Sequence, residues 1–387
     1  MKVLHLIDSG GLYGAEKMLL SLVQEQNAQG LEALILSAGE PGIESKAIED
    51  EARRLRIPVK PWRMKPGLNI REAWRIARWA NEQGFEVLHS HGYKFNILMA
   101  LLPRSIRKLP LMTTVHGYVN GPKFSAIWLY EVLDRLALRR MARVVLVNPH
   151  MRALKAVMRL PECAVDVIPN GIDIKPRPGT EENKRDDIVR FTSRFDVSLV
   201  AIGRLSPEKN FRLAIDALAQ IKASGISIGL CIMGQGSLHT ALLEQASNLG
   251  VADNLLLANY VAGAETHIAG FDALVMPSLT EGLPITLLEA MKARVPVIAS
   301  AVGGIPDALS GGRGGLLVPP GDLAALSAAF ERLISDRPAA VVRAEYAYQR
   351  ILDEYSSSTM AARYESIYKD ITASAKERRR HQHGQPG

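Results

Sequence analysis

Leu274-Val275-Met276-Pro277-Ser278-Leu279-Thr280-Glu281-Gly282-Leu283-Pro284-Ile285-Thr286-Leu287-Leu288-Glu289-Ala290 is the stretch on which the fold turns. Leu274–Met276 is apolar without polar alternation, as in a strand covered on both faces. A polar turn follows, and Pro284 stands at a natural first helical position, where its missing N–H is harmless. A helical pattern then spans Ile285–Ala293, and a second apolar run, Val297–Ala299, comes next. Strand, crossover helix and strand make a parallel unit, which must be buried beneath helices on both sides.

The same unit recurs in both directions. In the second half, strands are expected at Leu199–Ile202, Ile228–Met233, Leu255–Leu257 and Leu316–Val318, with helices Phe211–Lys222, Leu238–Ser247 and Leu323–Ile334. In the first half, the strand candidates are Val3–Ile7, Ala33–Leu36, Val87–His89, Leu111–Val115, Val144–Val147 and Val165–Ile168. Helical patterns separate them at Ala15–Gln29, Ile43–Leu55, Ile70–Glu82, Phe95–Leu102 and Ile127–Arg139. This order predicts an α/β protein of two doubly wound, Rossmann-like domains. The expected boundaries are 1–175 and 197–354, with a Pro-bearing, charged linker at 176–196. A helical segment, 355–373, and a disordered basic tail, 374–387, complete the chain. Ligands of such sheets bind at the carboxyl ends of the strands.

Composition narrows the function. Apolar residues make up 47% and charged residues 22%, as in a soluble globular protein. Two cysteines, Cys163 and Cys231, are too few and too far apart for a disulfide scaffold or a Cys-rich zinc site, and they fit a reducing compartment. Val3–Ile7 is too short and polar for a signal-peptide core, and no run approaches the length that spans a bilayer. A cytoplasmic protein is expected, with room for a peripheral place on the inner face of a membrane. Net charge is +7, all of it arising before Ile174: Lys plus Arg outnumber Asp plus Glu by 24 to 17 through Asp173 and match them at 23 each afterwards. An anionic partner is therefore sought on the first half.

Several loops carry chemistry. Glu281 precedes a helix start and Glu289 lies inside the helix, so the two can hold different parts of one polar ligand. A helix-start acid and a solvated acid are the plain alternatives. In Gly203-Arg204-Leu205-Ser206-Pro207-Glu208-Lys209-Asn210, Arg204 and Lys209 sit between a strand end and a helix, where two cations could receive a departing diphosphate. An ordinary basic surface turn would look the same. Gly10 and Gly11, in Ser9-Gly10-Gly11-Leu12-Tyr13-Gly14, allow close backbone approach after the first strand, as does Gly234 in Gly234-Gln235-Gly236. Neither matches the dinucleotide spacing. His116 ends a strand, while His89 and His91 lie two apart with no third metal ligand evident. No Asp-x-Asp pair, Walker loop or Gly-x-Ser-x-Gly elbow is found, so no metal site is expected.

Taken in order, these motifs resemble the retaining GT-B glycosyltransferases of family four. The match runs through Gly10–Glu16, His116-Gly117, Ile168–Asp173, Gly203–Asn210, Gly234–Gly236, Glu281–Glu289, Pro296–Ala299 and Gly303–Asp307. The resemblance implies GT-B architecture, an enzyme and a nucleotide-sugar donor, with a UDP-sugar expected, and no cofactor and no metal. It implies that Arg204 and Lys209 neutralise the leaving diphosphate, and that Glu289 binds the ribose. Glu281 with Gly282, Leu283 and Pro284 would hold the donor sugar and phosphate, and Gly10, Gly11 and His116 would line the reacting face. The final helices would cross back onto the first domain.

The acceptor is expected to be a glycan or lipid-linked saccharide, in cell-surface polysaccharide or lipid-linked glycan synthesis. Arg71, Arg75 and Arg78 share a helical face near Trp74 and Trp79, and Arg135, Arg139, Arg140 and Arg143 form a second cluster. Such a surface suits an anionic membrane. A solvated basic face is the plain alternative. A non-hydrolysing sugar-nucleotide epimerase and a non-catalytic nucleotide-sugar binder share the architecture. A nucleic-acid partner is not expected, since no recognition motif accompanies the charge.

Overall fold

The computed structural model describes residues 1–117, 126–174 and 185–383. The chain forms two compact units, Met1–Asp173 with Ser357–Gly387, and Ile174–Ser356.

The first unit contains a seven-stranded parallel sheet: β1 Lys2–Ile7, β2 Glu32–Gly39, β3 Val59–Arg63, β4 Val87–Ser90, β5 Leu111–Val115, β6 Arg143–Leu146 and β7 Val165–Val167. The strand order is β3-β2-β1-β4-β5-β6-β7. Alternate residues feed two layers. Leu4, Leu6, Leu36 and Leu88 join the core beneath the helices Ile70–Glu82, Tyr93–Leu101 and Ala126–Leu138. Ile7, Ala33 and Ile35 face the other way, toward the helix Gly14–Ala28. The long helix Ser357–His383 packs beside Gly14–Ala28.

The second unit repeats the plan with six parallel strands: β8 Val197–Ile202, β9 Ile228–Met233, β10 Leu255–Leu257, β11 Ala273–Met276, β12 Val297–Ser300 and β13 Leu316–Val318. The order is β10-β9-β8-β11-β12-β13. Both sheets are doubly wound, and each reverses its strand order beside its first strand, between β1 and β4 and between β8 and β11. A crevice opens at such a reversal because the loops leave toward opposite faces.

Three features differ from the sequence reading. Val59–Arg63 is a strand although it contains Pro61; it lies at the sheet edge, where a residue without an N–H is tolerated. The expected linker 176–196 contains a helix, Asp186–Thr192, anchored by buried Ile188 and Phe191; two apolar anchors are too few to make a visible period, and 175–184 lie outside the described residues. The tail expected to be disordered from 374 continues the last helix to His383, with 384–387 outside the described residues.

Candidate active site

The second sheet places its chemistry at the β8/β11 reversal. β8 ends at Ile202, and the chain runs through Gly203 and Arg204 to a short turn, Pro207–Lys209. β11 ends at Met276, leading to Ser278 and Glu281. Across this junction the Lys209 ammonium donates to Glu281 Oε1 at 2.6 Å, and the Ser278 hydroxyl donates to the same oxygen at 2.7 Å. The Lys209 stem lies over Gly203, where a Cβ would make ordinary van der Waals contact with it at 3.4 Å. The Leu279 N–H donates to the Glu208 carbonyl, tying the two loops together. Glu208 itself is held below the usual carboxylate range: burial opposes its charge, but Ser206, its own backbone N–H, Arg204 and Lys209 outweigh that.

Glycines hold this junction together. A Cβ on Gly234, after β9, would lie 1.7 Å from the Gly203 carbonyl oxygen, and one on Gly236 would lie 2.3 Å from that of Leu205. Gly303, at φ +55°, would drive a Cβ to 2.0 Å from the Glu281 carbonyl oxygen, and the Gly304 N–H donates to the Gly282 carbonyl at 2.6 Å. The loop after β12 therefore clasps the turn that carries Glu281. The helix Ile285–Lys292 starts beyond this turn with Pro284 as its cap residue, one place earlier than the sequence reading put it, and no side chain caps it. Its first amides are open to an anion. Leu283 is buried beneath, and Glu289, partly buried, lies in the helix's second turn. Arg204, Lys209, Gly234, Glu281, Gly282, Leu283, Pro284 and Glu289 thus belong to one unit and to the loops around one sheet reversal.

Gly10, Gly11 and His116 belong to the first unit. The Gly10–Gly11 loop follows β1; Ser9 Oγ bonds the Gly11 backbone, and the Tyr13 ring lies against Gly11. Gly10 has open space where a side chain would be. His116 follows β5, with its Nε2 buried and without a partner among the described residues; burial pushes its ring pKa down to about 4.

His116 lies at the rim of a cluster that the sequence did not reveal. His5 on β1 is in register with His89 on β4, and His91 follows. Ring nitrogens of His5, His89 and His91 lie within 4.8 Å of one another, so the pair does have a third histidine, contrary to the sequence reading. Strand register, which sequence spacing does not encode, brings it there. Hydrogen bonds account for most of these nitrogens. Gln26 Nε2 donates to the Tyr368 hydroxyl at 3.1 Å, which leaves Gln26 Oε1 to accept from His5 Nε2 at 2.9 Å. His5 Nδ1 then accepts from His91 Nε2 at 3.0 Å. The Tyr368 hydroxyl donates to His89 Nδ1 at 2.8 Å, and His89 Nε2 donates to Thr114 Oγ1 at 2.8 Å. Tyr364 closes the chain at 2.7 Å from Thr114. A cation bound by all three rings would have to displace several of these bonds. Burial pushes His5 down to about 4 against the support of Gln26, and pushes His89 and His91 well below the ordinary range. Among the described residues His91 Nδ1 and His116 Nε2 are left without partners, on rings 5.9 Å apart.

The Arg-rich faces are less free than their sequence implies. Arg75 pairs with Glu72 and Arg78 with Glu82, and their guanidiniums lie over Trp62 and Trp74 respectively. Arg143 pairs with Asp166, and Arg140 donates to the Ala100 carbonyl. Ile70 and Trp74 are exposed beside them. Among the described residues no helix is long and apolar enough to cross a membrane.

Comparison with known proteins agrees with this division. Residues 13–175 match the family described as Glycosyltransferase Family 4, and residues 189–350 match Glycosyl transferases group 1. The 2-deoxystreptamine N-acetyl-D-glucosaminyltransferase of Streptomyces fradiae is 27% identical over 375 residues, covering 90% of this chain and 88% of the relative. A GDP-mannose-dependent alpha-(1-6)-phosphatidylinositol monomannoside mannosyltransferase of Mycolicibacterium smegmatis is 27% identical over 75% of this chain and 78% of its own. Among solved structures, Anabaena HepE in complex with UDP superposes with a TM-score of 0.79 at 21% identity, over 96% of this chain and all of that one. That likeness is one of fold.

Proposed function

Because this chain belongs to the GT-B glycosyltransferases, as a Family 4 domain followed by a group 1 domain, we propose that it moves a sugar from a UDP-sugar to an acceptor hydroxyl with retention at the anomeric carbon. The observation that carries this reading is the Lys209–Glu281 pair across the β8/β11 reversal. An ammonium has three N–H donors, and Glu281 takes one, leaving two for diphosphate oxygens. Arg204 adds a planar fork, and the uncapped helix start at Ile285 adds amides. These charges are fixed where negative charge develops as the bond from the anomeric carbon to phosphate breaks, so no metal is needed in this reading. Glu281, oriented through Oε1 by Lys209 and Ser278, meets the donor sugar with Oε2. Glu289 accepts from the ribose hydroxyls. The acceptor oxygen attacks on the face the diphosphate leaves, and its proton passes to the departing phosphate oxygen. Gly10, Gly11 and His116 line the acceptor's approach.

The acceptor is a glycan or a lipid-linked saccharide, and the enzyme works in the cytoplasm, peripheral to the inner membrane face. No nucleic acid takes part. HepE was crystallised with UDP and with UDP-glucose, which supports uridine, whereas the mycobacterial relative is named for GDP-mannose. A thermal-shift panel of UDP, GDP, ADP and their sugars decides between them. UDP compounds are expected to raise the melting temperature, and Lys209→Ala and Glu281→Gln to retain the fold but lose most turnover. Stabilisation by GDP alone refutes the uridine assignment, and near-wild-type turnover in either variant removes that residue's role.

A further inference from the structure

The first sheet has a reversal of its own, between β1 and β4, and a cavity of about 270 Å³ opens there. Asp8 follows β1, Glu40 follows β2, and Gly92, Tyr93 and Lys94 follow β4; Tyr130 closes one side. The lining carries Asp8, Glu40 and Lys94, and Lys46, bonded to Asp8 from outside the lining, brings the local charge to balance. Asp8 accepts from Lys46 at 3.1 Å through one oxygen and from Lys94 at 2.6 Å through the other. A full negative charge entering the cavity would have to draw the lysines off Asp8, and a full positive charge would meet those lysines first. Hydroxyl groups face no such conflict, because each can accept from an ammonium and donate to Asp8 or Glu40. Tyr93 is 57% exposed, and its ring lies 5.6 Å from that of Tyr130. Two tilted aromatic faces offer an apolar wall to the C–H side of a saturated ring. Pro66 and Gly67 complete the rim without a polar side chain.

We propose that this cavity binds the acceptor as an uncharged polyhydroxylated ring, a neutral hexose or cyclitol unit. It rests on the proposed transfer only in calling that ring the acceptor. The donor junction lies in the other unit, so the two can be tested separately. Saturation-transfer NMR on the full chain would use methyl α-glucoside, myo-inositol, 2-deoxystreptamine and inorganic phosphate as probes. The two neutral rings are expected to bind the wild type and Glu281→Gln alike. In Tyr93→Ala they should bind about three- to tenfold more weakly, the size of one aromatic contact. Asp8→Asn should weaken them too, while UDP binding persists in both first-unit variants. Because Tyr93 is exposed, its truncation spares the fold, which the melting curve checks. Neutral rings that bind Tyr93→Ala as well as wild type overturn the proposal. So does binding of phosphate alone, lost in Lys94→Ala, or binding of the dicationic 2-deoxystreptamine in preference to both neutral rings. Neutral-ring binding in a protein that takes up no nucleotide would uphold the cavity and sink the transferase mechanism instead.

Discussion

Acid should loosen the first unit through His5. This ring is fully buried, and its pKa falls from 6.5 to about 4. A proton added to Nδ1 would place an N–H against the N–H of His91, in a fully buried site. Between pH 4 and 6.5 the unfolded chain therefore binds more protons at this ring than the folded one. Stability is complete above about pH 6.5 and is lost as pH falls toward the folded value. At about 1.36 kcal/mol per pH unit the whole interval is about 3.4 kcal/mol, of which about 2 kcal/mol is gone at pH 5. For a domain of this size that is about 4–8 °C in melting temperature. His89 and His91 shift in the same direction and add to this figure, whereas Asp166, raised by burial, works against it as pH falls. Buried Glu49, held down by Arg63 and Ser37 against its burial, yields its stability only below the ordinary carboxylate range, outside this window. All four tryptophans, Trp62, Trp74, Trp79 and Trp128, precede Ile174, so tryptophan fluorescence follows the first unit alone. Melts at pH 7.5 and 5 should differ by about that amount in the wild type and by less in His5→Gln, which has no titrating ring at this position. An unchanged wild-type melting temperature, or an equal drop in His5→Gln, refutes the reasoning.

Two other substitutions separate packing from function: Gly234→Ala must push the Gly203 carbonyl away, costing about 1–3 kcal/mol and nucleotide binding, whereas Gly10→Ala meets nothing and should lose activity without losing stability in calorimetry. Sedimentation with anionic vesicles should show weak binding that disappears at moderate salt, because Arg75 and Arg78 already have acidic partners; salt-independent binding, or none at low salt, contradicts an electrostatic membrane contact.

The strands were legible where burial on both faces removed polar residues, as in Ile228–Met233, which is buried throughout. Val59–Arg63 was not, since an edge strand can alternate and admit proline. The residues gathered at the β8/β11 reversal could be picked out because each motif is local: a strand end, a glycine and a charged residue within a few positions. What local sequence could not carry was the third dimension. Lys209 and Glu281 are 72 residues apart, and His5 reaches Tyr368 only through Gln26. Gly303 matched a motif, but its reason, the 2.0 Å approach to the Glu281 carbonyl, exists only in the folded chain.

Charge gains meaning from the same step. Counted along the sequence, the excess belongs to the first half. Counted by compact unit, the terminal helix adds to it: the first unit carries 30 basic against 20 acidic residues, and the second 17 against 20. The second unit is thus slightly acidic, so in the proposed transfer an anionic nucleotide sugar would be held by Arg204, Lys209 and a helix start rather than by a general field. The basic excess of the first unit, in turn, bypasses its β1/β4 cavity, where Asp8, Glu40 and Lys94 of the lining balance once Lys46, bonded to Asp8 behind it, is counted. A long-range field that draws the protein to an anionic surface and a neutral cavity that selects a sugar ring are compatible. On the two proposals together, the field would set how strongly the association depends on salt, and the cavity would set which ring is glycosylated. Raising ionic strength should therefore weaken vesicle binding while leaving the affinity for methyl α-glucoside unchanged; a parallel loss of both would place the lysines of the cavity in the same anionic contact and dissolve the distinction.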